Sequence, residues 1–311
     1  MCMNKNPKVS VIMSTFNESE GWLKQAIESI LKQTYSNLEF IIVLDNPQNI
    51  ILNNVVKEHA QKDARIKIIK NRVNKGLTYS LNQALRYCTG EVIVRMDADD
   101  ISESDRIEYQ LKSMQANNVD ILGGAVCVID EEANTIKRYM KMPTDSKCIK
   151  KKMHYTNCLA HPTWMVKKSV YEKLDGYRDI PMCEDYDFLL RACKNGFRLD
   201  NVERVVLKYR MTQNSISRTN GLKQYLFMRG LQQNFDNLES INKEILEEQV
   251  AHQNTLEASK KYTKANSLFM KGNSYLEKGR YGIAIIFLLK AVFTSPHYFN
   301  KIMRMIMGLI M

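Results

Sequence analysis

The chain has 311 residues, 44% of them hydrophobic, enough for one large core or for a core with an appendage. Its 45 Lys and Arg outnumber 34 Asp and Glu, a formal net charge of +11, but residues 258–311 hold nine of the cations against one acid, Glu277, a local balance of +8. The first 257 residues are near balance and carry no basic stripe interleaved with aromatics, which argues against a nucleic-acid partner.

Short runs rich in Val and Ile alternate with longer helix-patterned stretches. Residues 9–13 read as a buried strand, followed by a helix over about 20–33. Residues 40–44 are the next strand, with a helix over 49–61. Residues 66–69 precede a third helix, 77–87, and residues 92–96 a fourth, 104–116. Residues 119–128 form a further strand containing Gly123-Gly124. This alternation predicts an α/β domain whose mostly parallel sheet is covered by helices on both faces. Beyond residue 130 the pattern loosens: 163–166 and 205–209 read as strands and 184–194 as a helix. From about 220 onward only helices are expected. The seven cysteines are scattered, with no C-x-x-C pair, which fits reduced thiols in a cytosolic protein. No signal-peptide pattern is visible at the N-terminus, and no apolar run reaches the roughly 18 residues of a membrane span.

In open α/β sheets, ligands bind outside the carboxyl ends of the strands. The segments that follow the first four strands are Ser14-Thr15-Phe16-Asn17-Glu18, Asp45-Asn46, Asn71 to Gly76, and Asp97-Ala98-Asp99-Asp100. All are polar and two are strongly acidic. No G-x-G-x-x-G follows the first strand and no Walker-type Gly-Lys-Ser/Thr occurs, which disfavours dinucleotide oxidoreductases and nucleotide hydrolases of those classes. Two carboxylates two residues apart, Asp97 and Asp99, suit Mg²⁺ or Mn²⁺ bridging to phosphates. The competing reading is an acidic helix start, with Asp100 or Ser102 as the cap. Glu184-Asp185-Tyr186-Asp187 is a second acidic cluster, either a helix start or the place of a carboxylate base. His161 either lines the same site or is a hydrogen-bonded structural histidine.

The joint order of these segments resembles the family 2 glycosyltransferases, over roughly residues 7–220. That resemblance implies a glycosyltransferase-A fold for a catalytic domain at 1–220, with 221–311 as a C-terminal helical extension. It implies a donor nucleotide site made by Thr15, Phe16, Asn17, Glu18, Asp45, Asn74, Lys75, Gly76 and Asp97. Asp45 would accept a hydrogen bond from the base, which points to a UDP-sugar. Asp99 would ligate the metal, Mn²⁺ or Mg²⁺, with Asp97 on the ribose or the metal's water shell. Asp185 would be the general base, with Glu184 orienting acceptor or sugar. His161 and Arg191 would shape the donor-sugar and acceptor site, although an ion pair between Arg191 and Asp187 on one helix explains Arg191 as well. Short loops around Gly123-Gly124, His161 and 180–184 would set specificity.

The implied reaction is a single inverting transfer of one sugar to a hydroxyl of a saccharide or lipid-linked saccharide, in surface polysaccharide biosynthesis. The chain departs from the family at Ser14, where many members have Pro, and at Thr212, where many have His. It also lacks Gln-x-x-Arg-Trp, which argues against a processive synthase. The alternatives are a metal-dependent phosphohydrolase with Asp97 as nucleophile, and a non-catalytic scaffold built on the helical tail. In that tail Gly272, Tyr275, Gly279, Ala284, Leu288, Ala291 and Pro296 have tetratricopeptide-type spacing. The basic, Met- and Ile-rich end suits either a buried helix or adsorption to an anionic membrane through residues 258–311. The expected location is cytoplasmic, at the inner face of the plasma membrane if the tail adsorbs.

Overall fold

The computed structural model describes residues 6–140, 142–212 and 220–310. The chain folds into two compact units. The first holds residues 1–150, 157–178 and 188–212, and the second holds 151–156, 179–187 and 213–311. Two short segments from before residue 220 therefore go with the helical unit.

The first unit opens with β1 (Val9–Thr15), α1 (Glu20–Leu31), β2 (Leu38–Leu44), α2 (Ile50–Lys62), β3 (Ile66–Lys70), α3 (Leu77–Tyr87) and β4 (Val92–Arg95). These elements follow the sequence expectation within a residue or two. The four strands pair in parallel in the order β3-β2-β1-β4. Their side chains alternate between two covered faces. Val9, Val11 and Met13 of β1 and Phe40 and Ile42 of β2 join Leu23, Ile27 and Ile30 of α1 and Val55 and Val56 of α2 in one core cluster. Ile12, Ile41 and Val43 are equally buried on the other face, and α3 packs on β1 and β2. Burial on both sides is why these strands read as unbroken apolar runs.

The second half of the sheet was only partly legible. It contains β5 (Ile101–Ser102), α4 (Arg106–Asn117), β6 (Ile121–Ile129), β7 (Thr135–Met140), α5 (Ser146–Lys152), a 3-10 turn (His161–Thr163), β8 (Met165–Lys167), α6 (Lys168–Leu174), α7 (Glu184–Lys194) and β9 (Leu199–Arg210). The order continues from β4 as β8-β6-β9-β5, with β7 on β6. Strand β8 is antiparallel to β4 and β6, while β6 and β9 are parallel. Gly123-Gly124 lies within β6, as the strand expected over 119–128 implies, so the pair itself does not form a specificity loop. A Cβ on Gly123 would stand 2.2 Å from Asn201 Oδ1, and one on Gly124 would stand 2.6 Å from Val206 Cγ2. The pair lets β9 approach through a register shift.

The described part of the second unit is helical in its C-terminal stretch: α8 (Gly221–Gln233), a 3-10 segment (Phe235–Ser240), α9 (Lys243–Ala251), α10 (Leu256–Glu277), α11 (Tyr281–Thr294) and α12 (Pro296–Ile310). Helices α10 and α11 form the expected hairpin. Gly272 meets Leu288 and Ala284, Tyr275 stacks on Phe287, and Gly279 turns the chain at φ +71°. Ile285, Ile286, Leu289 and Phe293 of α11 stay exposed. Among the described residues no single helix is long and apolar enough to cross a membrane, and the α11–α12 pair is bent by 120°.

Gly90, just before β4, gives a test of the first unit. Its N–H donates to Ser10 Oγ, which donates to buried Glu39, and an added Cβ would lie 2.6 Å from Lys8 O and 2.7 Å from Ser10 N. Because those neighbours are backbone, Gly90→Ala should lower stability by about 1–3 kcal/mol in urea unfolding.

Candidate active site

The carboxyl ends of the parallel strands β1–β4 bring four polar segments to one edge of the sheet. After β1, Glu18 Oε2 accepts from Thr15 Oγ1 (2.7 Å) and from Phe16 N (2.9 Å), closing a tight turn. Asn17 Oδ1 accepts from the side chains of Asn46 and Asn49, which ties this turn to the loop after β2.

Asp45 is buried and organises the next loop. Its Oδ1 accepts from Asn71 Nδ2 (2.7 Å) and Lys75 N (2.8 Å), and its Oδ2 accepts from Gly76 N (2.9 Å). Asn74 Oδ1 also accepts from Gly76 N. Gly76 has φ +83° and precedes α3, so the loop needs glycine there. Lys75 reaches over the ring of Tyr79. The sequence-predicted nucleotide residues Thr15 to Glu18, Asp45 and Asn74 to Gly76 are therefore one hydrogen-bonded rim.

The acidic turn follows β4. Asp97, Asp99 and Asp100 present carboxylate oxygens that all lie within 4.8 Å of one another. Burial, reinforced by Asp97 and Glu18, pushes the Asp99 carboxyl up to about 7. Burial, Asp97 and Asp99 push Asp100 well above its ordinary value, and its Oδ2 is buried without a hydrogen-bond partner. Asp97 pairs with buried Arg95. A set of hard, crowded oxygens with one orphaned acceptor fits Mg²⁺ or Mn²⁺.

The helix-cap reading of this turn does not hold. Asp105 occupies the N-cap of α4, Ser102 lies in β5, and Asp100 Oδ1 accepts from Arg210 N (2.7 Å).

Three arginines that the sequence reading did not single out support the turn. Arg210, at the end of β9, donates from Nε to Asp99 O, from Nη1 to Asp130 O and Glu131 O, and from Nη2 to Gln25 Oε1. Its guanidinium also lies over Trp22. Arg106 is buried beneath, donating to Gln110 Oε1 and to the carbonyls of Arg95 and Trp164, and burial lowers it to about 9. Arg95 is the third. The one signal in the sequence was an arginine at each strand or helix end facing the acidic run.

The profile of Glycosyl transferase family 2 matches residues 10–175. The chain belongs to this family. This glycosyltransferase is 40% identical over 224 residues to an uncharacterised glycosyltransferase of Methanocaldococcus jannaschii, covering 71% of this chain and 77% of that one. It is 35% identical over 214 residues to the O-antigen biosynthesis glycosyltransferase WbnJ of Escherichia coli, covering 68% and 82%. Its fold is similar to that of the mannosyltransferase PcManGT from Pyrobaculum calidifontis, solved in complex with GDP-Man and Mn²⁺. The TM-score is 0.59 at 16% identity, over 92% of this chain and 87% of that one. The glycosyltransferase-A architecture is thus shown, and the phosphohydrolase and scaffold readings fall away.

The remaining sequence-predicted residues have other surroundings. His161 is buried, its Nε2 is 2.9 Å from Tyr177 Oη, and burial holds it well below its ordinary value, so the imidazole stays neutral. Arg191 donates to Leu174 O (2.6 Å) and Gly176 O (2.8 Å), holding the end of α6 against α7. Both residues have structural tasks in the first unit. Glu184 and Asp185 form the first turn of α7 and belong to the second unit, where Asp185 Oδ1 accepts from Tyr186 N. Tyr186 anchors that turn by donating to Met153 O and accepting from Gln232 Nε2. Thr212 is described, whereas the motif residues Gln213 to Ser217 lie outside the described residues.

The raised Asp99 carboxyl has a stability consequence. Between the ordinary carboxylate value and about 7, the folded protein binds more protons at Asp99 than the unfolded chain does. Its contribution to stability is therefore full at low pH and is lost as pH rises through about 7. In EDTA, Asp99→Asn should gain stability over the parent at pH 8 and little at pH 4.5. Urea unfolding at the two values checks the difference.

Proposed function

We propose that this glycosyltransferase moves a single sugar from a nucleoside diphosphate sugar to a hydroxyl of a saccharide or lipid-linked saccharide, with inversion. The convergence of Asp97, Asp99 and Asp100, with Asp99 pushed up to about 7, is the observation that carries this reading. A site that strains its own carboxylates in isolation is suited to a divalent cation and the diphosphate the cation accompanies. The similarity to a mannosyltransferase solved with GDP-Man and Mn²⁺ supports that class of donor and cation. The similarity to an O-antigen biosynthesis enzyme supports a surface polysaccharide as the product.

In this reading the donor's nucleoside lies on the rim of Thr15 to Glu18, Asp45 and Asn74 to Gly76. Among the described residues Asp45 Oδ2 has a single hydrogen-bond partner, which suits the N3–H of a uracil and favours a UDP-sugar. Asp99 would hold Mn²⁺ or Mg²⁺, and Asp97, already paired with Arg95, would serve the ribose or the water around the cation. When bound, the cation would neutralise the charge that grows on the leaving diphosphate. Asp185 removes the proton of the attacking hydroxyl while Glu184 orients the acceptor. One displacement from the face opposite the diphosphate inverts the anomeric carbon. His161 and Arg191 support the walls through Tyr177 and the α6 end, and act on the sugar through those neighbours.

Adsorption of residues 258–311 to an anionic membrane at the inner face of the plasma membrane belongs to the same reading. The +8 balance and the exposed Ile285, Ile286, Leu289 and Phe293 support it.

A thermal-shift screen of nucleotide sugars with and without Mn²⁺ should find a donor whose stabilisation needs the cation and is lost in Asp99→Asn. Asp185→Asn should keep that stabilisation while turnover falls about 10²–10⁴-fold, the usual worth of a general base. Normal turnover by Asp185→Asn overturns the assignment. Sedimentation with phosphatidylglycerol vesicles should fall about tenfold when Ile286 and Phe293 are both changed to Asp, since each charge opposes insertion of an apolar face.

A further inference from the structure

The helical unit holds a partly open cavity of about 150 Å³ lined by α8, α10, α12 and the segment at Tyr155. Among the described residues no carboxylate lines it, yet two cations do, Lys301 and Arg304. Lys301 Nζ lies 5.6 Å and 5.3 Å from the ring centres of Tyr262 and Tyr298, and it has neither a carboxylate nor a hydrogen-bond partner among the described residues. Burial lowers the Lys301 ammonium from its ordinary value. Arg304 donates from Nη2 to His154 O and lies over the ring of Tyr155, but its Nε is buried without an acceptor. Burial, and then Arg229, lower Arg304.

The rest of the lining is rich in donors. Asn266 Oδ1 already accepts from Tyr298 Oη, so its amide N–H groups are left to donate. Thr263 and Tyr225 add hydroxyls. Both side chains are half-buried, where a cation without a counter-charge is disfavoured, and the buried Arg304 Nε is a donor of the kind that folded proteins supply with an acceptor. Two such cations in one cavity, with a third in their field, call for a multiply charged anion with several acceptor oxygens. The space holds roughly five waters' worth of volume, which admits a phosphate group and the first atoms of its ester but not a nucleotide sugar.

We propose that this cavity is a binding site for a phosphate monoester group, separate from the acidic turn, with Lys301 and Arg304 as its cationic ligands. The group comes either from a lipid headgroup or from a soluble phosphate. The site lies wholly in the second unit and does not depend on the catalytic reading.

The test uses the full chain in EDTA, so that no divalent cation draws phosphate to the acidic turn. Titration with inorganic phosphate at constant ionic strength should give a saturable rise in melting temperature. Lys301→Met and Arg304→Gln should each weaken the apparent affinity about tenfold or more, because each removes a charge-assisted contact. Asp99→Asn should leave it unchanged. If both charge variants unfold, Thr263→Val, which removes only a hydroxyl, must still weaken phosphate binding. Vesicles of phosphatidic acid and of phosphatidylglycerol at matched surface charge identify the source. A preference for phosphatidic acid that both variants lose assigns a lipid headgroup. Saturable binding of inorganic phosphate with no such preference assigns a soluble phosphate. Absence of both, or phosphate binding that the variants leave unaltered, overturns the proposal.

Discussion

The crowding of negative charge at the end of β4 is the constraint on which the rest of the first unit depends. Two carboxylates within 4.8 Å repel by roughly 3 kcal/mol at the effective dielectric of a protein surface, and more as water is excluded. Asp97, Asp99 and Asp100 hold this geometry although burial and mutual repulsion oppose it. What keeps them together is mostly backbone. Arg210 grips the turn through the Asp99 carbonyl and the Asp100 carboxylate, and its remaining donors reach two carbonyls after β6 and Gln25 of α1. That arrangement fixes position without neutralising Asp99, which leaves the charge for a ligand to meet.

The same principle operates on the rim formed by the segments after β1, β2 and β3. Asp45 spends most of its hydrogen-bonding capacity on Asn71, Lys75 and Gly76 of the following loop, so one carboxylate sets the shape of two segments. Glu18 does this for its own turn and also contributes to the field that raises Asp99. The rim and the acidic turn are therefore coupled electrostatically as well as by the parallel strands that carry them. Preorganisation of this kind lowers the ordering cost of binding a flexible donor.

The helical unit shows the opposite imbalance. Lys301 has no carboxylate partner among its described neighbours, and the apolar residues are divided between a packed interior around Tyr262 and Tyr298 and an exposed face on α11. The acid-rich edge of one unit and the base-lined cavity of the other differ in charge, which is why we propose a metal-accompanied diphosphate for the first and a bare phosphate for the second.

The sequence by itself determined the first four strands, their place in a mostly parallel sheet and the polar segments at their ends. Strands buried on both faces leave a continuous apolar signal, and a ligand edge leaves an abrupt polar one. The spacing of Gly272, Gly279 and Ala284 likewise determined the α10–α11 hairpin. Strands β5 and β7 stayed illegible because they are short and owe their pairing to neighbours far along the chain, and the strand expected over 163–166 begins only at Met165, after a 3-10 turn. Only the tertiary structure decided that Asp100 is held by Arg210 instead of capping α4, since that bond joins residues 110 positions apart. It likewise decided that His161 and Arg191 are occupied by Tyr177 and by α6 carbonyls, and that Lys301 and Arg304 share a cavity. Side-chain charge is written in the sequence, but whether a charge is paired depends on burial and distance, which exist only in the fold.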